Sequence, residues 1–468
     1  MRWAKISAPA PRLACSAFCL LSAGVLPASG QDGEPGRLIT FGVSQTFYAR
    51  DNLILAPSSA GTTYASDTRL SFGLDTETDI DSFSLSAESV LRLLDDPLVG
   101  RESRLSDPRL DVRYERDNGN SQLALFANYA KLDLAFSDPL SQSSLGVADF
   151  FRGGGTREEI IGGLRFETGI EAPLGFFVEA DSRRIDYSGA NDPLLFANRT
   201  DRAQVGLIFR FSPVARATLS VEQEQYDAED TRDSQRDTRD VTLGLEYDTS
   251  PVSVFTMEVG HTEITERLLA PVDRSSTSGL VGSVGYTQEM PNGELTLDAS
   301  TILTQLGRQN EFEVGRRLEL PTGSLDISLG VAQGDTFDPL PIGRIAYMTE
   351  WPRSRFDVAL SRDVAISDIV SDATITTRMD AGYEVDVTAL SSLSFDVAYA
   401  DIAVDGPDPA GVSQEQGSVY LTYRRNLTAD WDVSLGLEHR FIDEGAPLGR
   451  GTSNGVFFSL ERDFELFR

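Results

Sequence analysis

One stretch near the end of the chain reads Trp431-Asp432-Val433-Ser434-Leu435-Gly436-Leu437-Glu438-His439-Arg440-Phe441. Apolar residues alternate in it with polar or small ones, so an extended strand would have one apolar face and one polar face. The stretch is roughly twice as long as the usual globular strand of about 5–6 residues. About 9–11 tilted residues are what a strand needs to cross a bilayer. The stretch therefore predicts a membrane-spanning β-strand.

Segments of this kind recur along the rest of the chain. The first is predicted near Leu38–Tyr48 and the last at Val456–Phe467. Counting them gives about 22 strands, within a range of roughly 18–22 because boundaries read from sequence are imprecise. An even number places both chain ends on one side of the membrane. The pattern predicts an all-β fold, a transmembrane antiparallel up-and-down β-barrel formed as a single domain by residues 31–468.

The connections between the predicted strands alternate between two classes. The short ones are rich in proline, glycine and asparagine, which suit tight turns and do not suit central strands. Examples of the short class are Asp117–Asn120, Ser212–Val214 and Pro291–Gly293, and examples of the long class are Ala49–Asp67, Asp95–Asp107, Ser137–Thr156 and Arg267–Arg274. This alternation predicts short periplasmic turns and longer extracellular loops.

Aromatic residues lie beside the short connections. Those predicted to mark the membrane interface are Tyr114, Phe211, Tyr247, Trp351 and Trp431. Aromatic rings favour the interface because their flat apolar bodies tolerate the headgroup region. A soluble β-sandwich, the alternative for an all-β chain, would concentrate its aromatic residues in the middle of its strands. The position of the aromatics therefore favours the barrel.

Residues 1–30 have the composition of a cleaved secretory signal peptide. Arg2 and Lys5 lie in a basic start, a mostly apolar run follows, and Ala28-Ser29-Gly30 forms a small-residue cleavage site. Both cysteines, Cys15 and Cys19, lie in this segment, so the mature chain is expected to have no disulfide bond.

The chain is strongly acidic. Residues 1–30 hold three basic residues and no acidic residue, so their removal changes the formal net charge from −31 to −34. Nucleic-acid binding needs a basic surface, and Lys131 is the single lysine after residue 30. The composition therefore argues against a nucleic-acid partner.

With these features, residues 38–468 resemble the porin-type β-barrel proteins of Gram-negative outer membranes. A local likeness is the opening Phe41–Leu53, in which the first strand ends in Asp51-Asn52. The last strand is similar to the C-terminal signal that the barrel-assembly machinery recognises, except that Arg468 follows Phe467. The resemblance implies an integral protein of the cell outer membrane that contacts lipid and lipopolysaccharide and is inserted by that machinery.

If the apolar rows face lipid, the alternate rows face the lumen. The pore-lining residues predicted in this way are Arg113, Glu115, Arg165, Glu167, Glu222, Glu246, Arg317, Asp357, Arg378 and Glu438. Charged walls tune which solutes enter a pore. Alternatively, arginines and acidic residues on neighbouring strands neutralise each other and brace the wall. The sequence leaves both interpretations open.

A barrel of about 22 strands encloses a wide lumen that needs a constriction or a plug. TonB-linked transporters hold a large N-terminal domain there, and because Gln31–Arg37 alone separate the signal from the first strand, we expect a different class. The longest connection, Ser137–Thr156, is the candidate constriction. It carries the apolar residues Leu145, Val147, Phe150 and Phe151 and the flexible Gly153-Gly154-Gly155. A surface loop is the alternative.

No catalytic constellation is predicted. His261 and His439 continue lipid-facing rows near the outer interface, and no Ser–His–acid spacing is found, although triads form in space rather than in sequence. The acidic segment Asp227–Asp240 lacks the ordered glycine and spacing of a calcium loop. We therefore expect neither enzymatic activity nor a metal or other cofactor.

The function predicted from these observations is passive diffusion of small hydrophilic solutes through an open barrel. One alternative is a dedicated export or uptake pore, for example for a polysaccharide, that works with periplasmic partners. Another is a structural or adhesive surface barrel whose lumen is filled.

Overall fold

The computed structural model describes residues 36–137, 140, 153–190, 195–269, 272–367, 372–405, 413–445 and 448–467. The predicted signal peptide, residues 1–30, lies outside the described residues. The described chain forms 22 strands: β1 (Arg37–Asp51), β2 (Thr62–Glu77), β3 (Asp81–Asp96), β4 (Gly100–Asp117), β5 (Ser121–Asp133), β6 (Thr156–Thr168), β7 (Leu174–Ser188), β8 (Asn198–Ser212), β9 (Ala215–Ala228), β10 (Ser234–Ser250), β11 (Ser253–Leu269), β12 (Val272–Met290), β13 (Gly293–Thr304), β14 (Gly307–Leu320), β15 (Gly323–Gly334), β16 (Leu340–Trp351), β17 (Ser354–Ser367), β18 (Asp372–Thr388), β19 (Ser391–Asp405), β20 (Gln414–Asn426), β21 (Trp431–Asp443) and β22 (Arg450–Phe467).

These strands close into one barrel. Each strand pairs antiparallel with the next along the chain, and β1 also pairs antiparallel with β22, where Thr46 lies opposite Ser459. Closure leaves no edge strand, so every strand has a hydrogen-bonded neighbour on both sides. The predicted 22-stranded antiparallel barrel is confirmed.

The strand that opened the sequence analysis, β21, shows how the alternation is used. Leu435 and Leu437 are 57% and 53% exposed on the outer surface, whereas Glu438 and Arg440, on the inward face, are 6% and 4% exposed. The same outward exposure is seen for leucine, valine and phenylalanine side chains around the barrel. An apolar outer surface of this kind faces lipid rather than water.

The extracellular connections are shorter than predicted because the strands continue. The region Asp95–Asp107 is largely strand, since β3 ends at Asp96 and β4 begins at Gly100. Likewise Arg267 of β11 lies opposite Arg274 of β12 inside the ladder, although Arg267–Arg274 is predicted as a loop. Beyond the lipid band both faces of a strand meet water, so the alternation fades while backbone pairing continues. β5 ends at Asp133 and β6 begins at Thr156, and most residues of the predicted connection Ser137–Thr156 lie outside the described residues.

Complete burial is found mainly on the inner side of the barrel, near the extracellular ends of the strands. Val90, Ala400, Ile402 and Ile442 are each 0–1% exposed. A small apolar cluster of Ala332, Phe337, Val364 and Ala373 lies at the extracellular ends of β15–β18. In the described part of the chain, no helix is long and apolar enough to cross a membrane.

Candidate functional site: the barrel lumen

The ten predicted pore-lining residues all lie on the face of their strands opposite the exposed apolar row. Eight of them take part in ion pairs: Arg165, Glu167, Glu222, Glu246, Arg317, Asp357, Arg378 and Glu438. The other two, Arg113 and Glu115, lie near the periplasmic end of β4. Six of these residues pair with a residue of another strand, as the bracing interpretation predicts, whereas Asp357 and Arg378 pair within their own strand. The contribution of the ten residues to solute selection stays a prediction.

Arginine–carboxylate pairs connect neighbouring strands along the wall from β6 to β10. Arg183 donates to Glu159 at 2.7 Å, and Arg202 donates to Glu222 at 2.7 Å. Arg216 pairs with Glu246 in the same manner. In each case the two partners stand on adjacent strands, so these arginines fix the wall to itself. We call Arg183, Arg202 and Arg216 the wall arginines.

Between β10 and β14 the inner wall carries acidic residues that have no salt bridge in the described chain. Asp240, Glu258 and Glu311 face inward, and no salt bridge to them is found among the residues that the structure describes. The hydroxyl of Thr262 hydrogen-bonds to Asp240, and the amide of Gln309 donates to Glu311 at 2.8 Å. The two sides of the lumen therefore differ in charge balance.

A second kind of arginine holds the ends of connections in addition to neighbouring strands. Arg92 of β3 is 3% exposed and donates to Asp67 at 2.7 Å, to Asp107 at 2.9 Å and to Asp133 at 3.0 Å. Asp133 is the last residue of β5, and the ring of Phe136 just beyond it stacks on the Arg92 guanidinium at 3.6 Å. Arg92 thereby ties the start of the β5–β6 connection to the inner wall.

Arg440 of β21 makes a similar attachment on the other side of the β1–β22 pair that closes the barrel. Its Nη1 donates to the carbonyl oxygen of Ser137 and its Nη2 to that of Leu53, each at 3.4 Å. Because Arg440 lies on the inward face, both connections must reach it from the lumen side. Leu53 is 7% exposed and Leu140 is 3% exposed, which agrees with this inward path. We call Arg92 and Arg440 the loop arginines.

The β1–β2 connection is fixed against the end of β22 as well. The side-chain amide of Asn52 donates to the carbonyls of Ala56, at 2.7 Å, and Thr452, at 2.8 Å. The carbonyl of Leu55 lies so close to Gly451 that a Cβ atom there would overlap it. Gly451 therefore has a steric reason to be glycine.

The structure describes only part of the predicted constriction, Ser137–Thr156. The described start of Ser137–Thr156 turns into the barrel, whereas Leu145, Val147, Phe150 and Phe151 lie outside the described residues. The sequence did not single out Arg92. A signal was nonetheless present, because Arg92 alternates with Val90 and Leu94 in an inward row that is otherwise apolar at this point.

The predicted interface aromatics lie at the periplasmic ends of their strands. Phe211, Tyr247 and Trp351 are exposed, and Trp351 and Trp431 directly border short turns. The Tyr114 hydroxyl hydrogen-bonds to Asp81 at 2.6 Å across the β3–β4 pair. Their contact with the membrane interface stays a prediction.

The two histidines lie apart from the lumen. His261 is exposed on the outward row of β11, and His439 makes a 2.9 Å hydrogen bond with Asn454 on β22. The predicted acidic loop Asp227–Asp240 is reduced to residues 229–233 between two strands. In the described ranges, no group of three or more His, Cys, Asp or Glu side chains could hold a metal ion.

No protein-family model matches this sequence, and the search of curated proteins gives no match either. The fold, however, is shared with solved structures. It is similar to the FrpB iron transporter from Neisseria meningitidis, with 7% identity, a TM-score of 0.58, and coverage of 92% of this chain and 83% of that one. The chain is an integral β-barrel of the outer membrane. Its predicted location is thereby confirmed.

Two further structures have the same architecture. The copper transporter OprC has 11% identity, a TM-score of 0.56, and coverage of 93% of this chain and 82% of that one. The siderophore receptor PirA from Acinetobacter baumannii has 8% identity, a TM-score of 0.56, and coverage of 93% and 81%. At these identities the likeness concerns the fold alone. The predicted resemblance to porin-type barrels is supported as far as an outer-membrane β-barrel, and the porin type is not confirmed.

Proposed function

We propose that this protein is a dedicated uptake barrel whose extracellular mouth is closed by its own connections and opens to admit a polar solute. The observation that carries the proposal is the burial of inward-facing side chains at the extracellular end, where Ile402 and Ile442 are both 0% exposed. In a freely open barrel these side chains would face the water of the lumen. The expectation of passive diffusion therefore has no support in this geometry.

The way the connections are fixed also supports a closed mouth. The β5–β6 connection starts from Asp133 beside Arg92 and passes Ser137, which contacts Arg440 near the opposite side of the closure. The described part of this path lies on the inner side of the wall, next to the β1–β22 closure. Barrels of about 22 strands are, as a class, transporters with a plugged lumen.

The named functions of proteins with this fold point the same way. An iron transporter, a copper transporter and a siderophore receptor are among them. Dedicated uptake is one of the two functions that the sequence left open for a specialised pore, and it is preferred here over export. Contact with lipid and lipopolysaccharide and insertion by the barrel-assembly machinery belong to the proposal. We further propose that the protein is not an enzyme.

The test is single-channel conductance of the refolded protein in a planar bilayer with potassium chloride. We expect the native protein to be mostly silent and the Arg92→Ala variant to show frequent open steps, because the connection loses its attachment. Arg202→Ala is the matched control, since it removes an inward arginine that holds only the wall. Large, stable steps in the native protein would instead establish passive diffusion. Silence in both variants would leave a filled structural barrel.

A further inference from the structure

Two glutamine side chains lie buried on the inner face of β20 near its extracellular end. Gln414 is 1% exposed and Gln416 is 2% exposed. In the ladder, Gln414 lies opposite Ile402 of β19, and Gln416 lies opposite Ile442 of β21. Both isoleucines are fully buried, so each glutamine has an apolar cross-strand neighbour on the inner face. We call Ile402 and Ile442 the apolar floor.

None of the polar atoms of these two side chains has a hydrogen-bond partner among the described residues. This holds for the amide nitrogen and the amide oxygen of Gln414 and of Gln416. The hydroxyl of Thr374 on β18, whose side chain is 1% exposed, likewise has none. Buried polar atoms without partners cost free energy and are rare in folded proteins, so five of them on the inner faces of β18 and β20 call for an explanation.

We propose that Gln414, Gln416 and Thr374 form a binding subsite for a neutral, hydroxyl-bearing portion of the transported solute. Amides and hydroxyls both donate and accept hydrogen bonds and carry no charge, which matches the hydroxyl groups of a sugar or polyol. The apolar floor suits the C–H face of such a ligand. An anionic group would require a free arginine, and the neighbouring Arg440 is already bound to two carbonyls.

Access to the subsite depends on the closed mouth and therefore rests on the proposed function. Gln416 shares its row of the ladder with Ile442 and Gly451, and the Leu55 carbonyl of the β1–β2 connection lies against Gly451. The β1–β2 connection thus lies against the inner wall in this row, two strands from Gln416, and it can withdraw without breaking strand pairing. When it withdraws, the unpartnered amides become available to a ligand.

The experiment measures interruptions of the ionic current by maltohexaose, a neutral hydroxylated probe, added on the extracellular side. It uses the Arg92→Ala protein, and Arg440→Gln as a second open background in case the first folds poorly. The test variant adds Gln414→Leu and Gln416→Leu. The matched control adds Gln204→Leu, which changes an inward, half-buried glutamine on the β8 wall.

We expect maltohexaose to interrupt the current and the double leucine variant to shorten each interruption about tenfold or more, because several hydrogen bonds are lost. The Gln204→Leu control should leave the interruptions unchanged. Barrel stability should stay equal or rise in the double variant, since unpartnered amides are removed. A purely structural role for the glutamines would lower it.

Three outcomes would overturn the subsite. One is a salt current without interruption by the probe, and another is interruption that the double variant does not shorten. A third is a gain in stability with unchanged interruption, which would assign the amides to ordered water. If neither background carries a salt current, the closed-pore function itself fails and the subsite fails with it.

Discussion

Two groups of arginines face the same lumen and do different work. The wall arginines, represented by Arg202, pair with a carboxylate one strand away, and the Arg202 side chain remains 36% exposed. The loop arginines, represented by Arg92, are almost fully buried and hold connections that turn inward. Burial removes water from competition and makes loss of a partner costly, whereas hydrated pairs contribute little. The difference shows that burial and the presence of an inward-turning connection distinguish the role of an inward arginine.

The two groups also differ in the number of carboxylates around the guanidinium. Arg183, Arg202 and Arg216 each pair with a carboxylate on an adjacent strand. Arg92 instead gathers Asp67, Asp107 and Asp133 around one guanidinium. Without that cation, Asp67 and Asp107 would lose their ion pair, and Asp133 would keep Arg104 alone. The following predictions test this contrast.

The largest effect is expected for Arg92→Ala. Because Asp67 and Asp107 would be left without a cation and Asp133 with Arg104 alone, we expect the free energy of unfolding to fall by about 3–5 kcal/mol. Arg202→Ala should cost about 1 kcal/mol or less, since its pair is partly hydrated. Urea unfolding in lipid vesicles, followed by tryptophan fluorescence, measures both. Equal losses would remove the distinction between the two groups.

The next effect concerns the ion pair that joins β1 to β21 across β22. Arg50 donates to Glu438 at 2.8 Å, and the two side chains are 12% and 3% exposed. Glu438→Gln should cost about 1.5–3 kcal/mol, because a charged hydrogen bond in a buried place is weakened. A double-mutant cycle with Arg50→Met measures the coupling. Strictly additive losses would place this pair with the hydrated wall arginines.

A smaller effect is expected on ion selectivity in the opened Arg92→Ala protein. The inward acidic residues of β10–β14 should make the pore prefer cations, as the reversal potential in a salt gradient would show. Glu258→Gln should reduce the preference by about twofold, since a single hydrated charge contributes less than about 1 kcal/mol. Glu263→Gln, on the outward face of the same strand, is the control. An anion preference would contradict the charge assignment of the lumen.

The smallest effect is expected outside the lumen. His261→Ala and His439→Ala should each change the free energy of unfolding by no more than about 0.5 kcal/mol, as is usual for surface substitutions. Neither should alter conductance. Hydrolysis of lipid or peptide by the native protein that disappears in either variant would instead support an enzyme.

The strands were largely predictable from the sequence because lipid imposes a strict rule on one face. Leu435 and Leu437 alternate with Gly436 and Glu438, and this period of two predicted both the strand and its orientation. The same alternation placed the ten charged residues on the inner face. The strand number followed from the turns between such segments.

The attachment of the connections to the inner wall was not predictable in the same way. The contact between Arg440 and Ser137 joins residues that are 303 positions apart, and Ser137 lies in a connection without periodicity. The extra strand length was missed for a related reason, since Arg101 and Asp95 form an ion pair where both faces of the strand meet water. The alternation depends on a difference in polarity between the two faces of a strand. It cannot predict a strand where both faces are polar.

The continuation of the strands past the lipid has a consequence for the cell surface. β12 has 19 residues, roughly twice the 9–11 residues that a tilted strand needs to span a bilayer. On the side formed by β10–β12 the strands therefore stand above the headgroups as a stiff ribbon in which β11 is paired on both sides. A phage or an antibody approaching this side would meet rigid strands, and a protease would find few extended segments there that are free to enter its cleft.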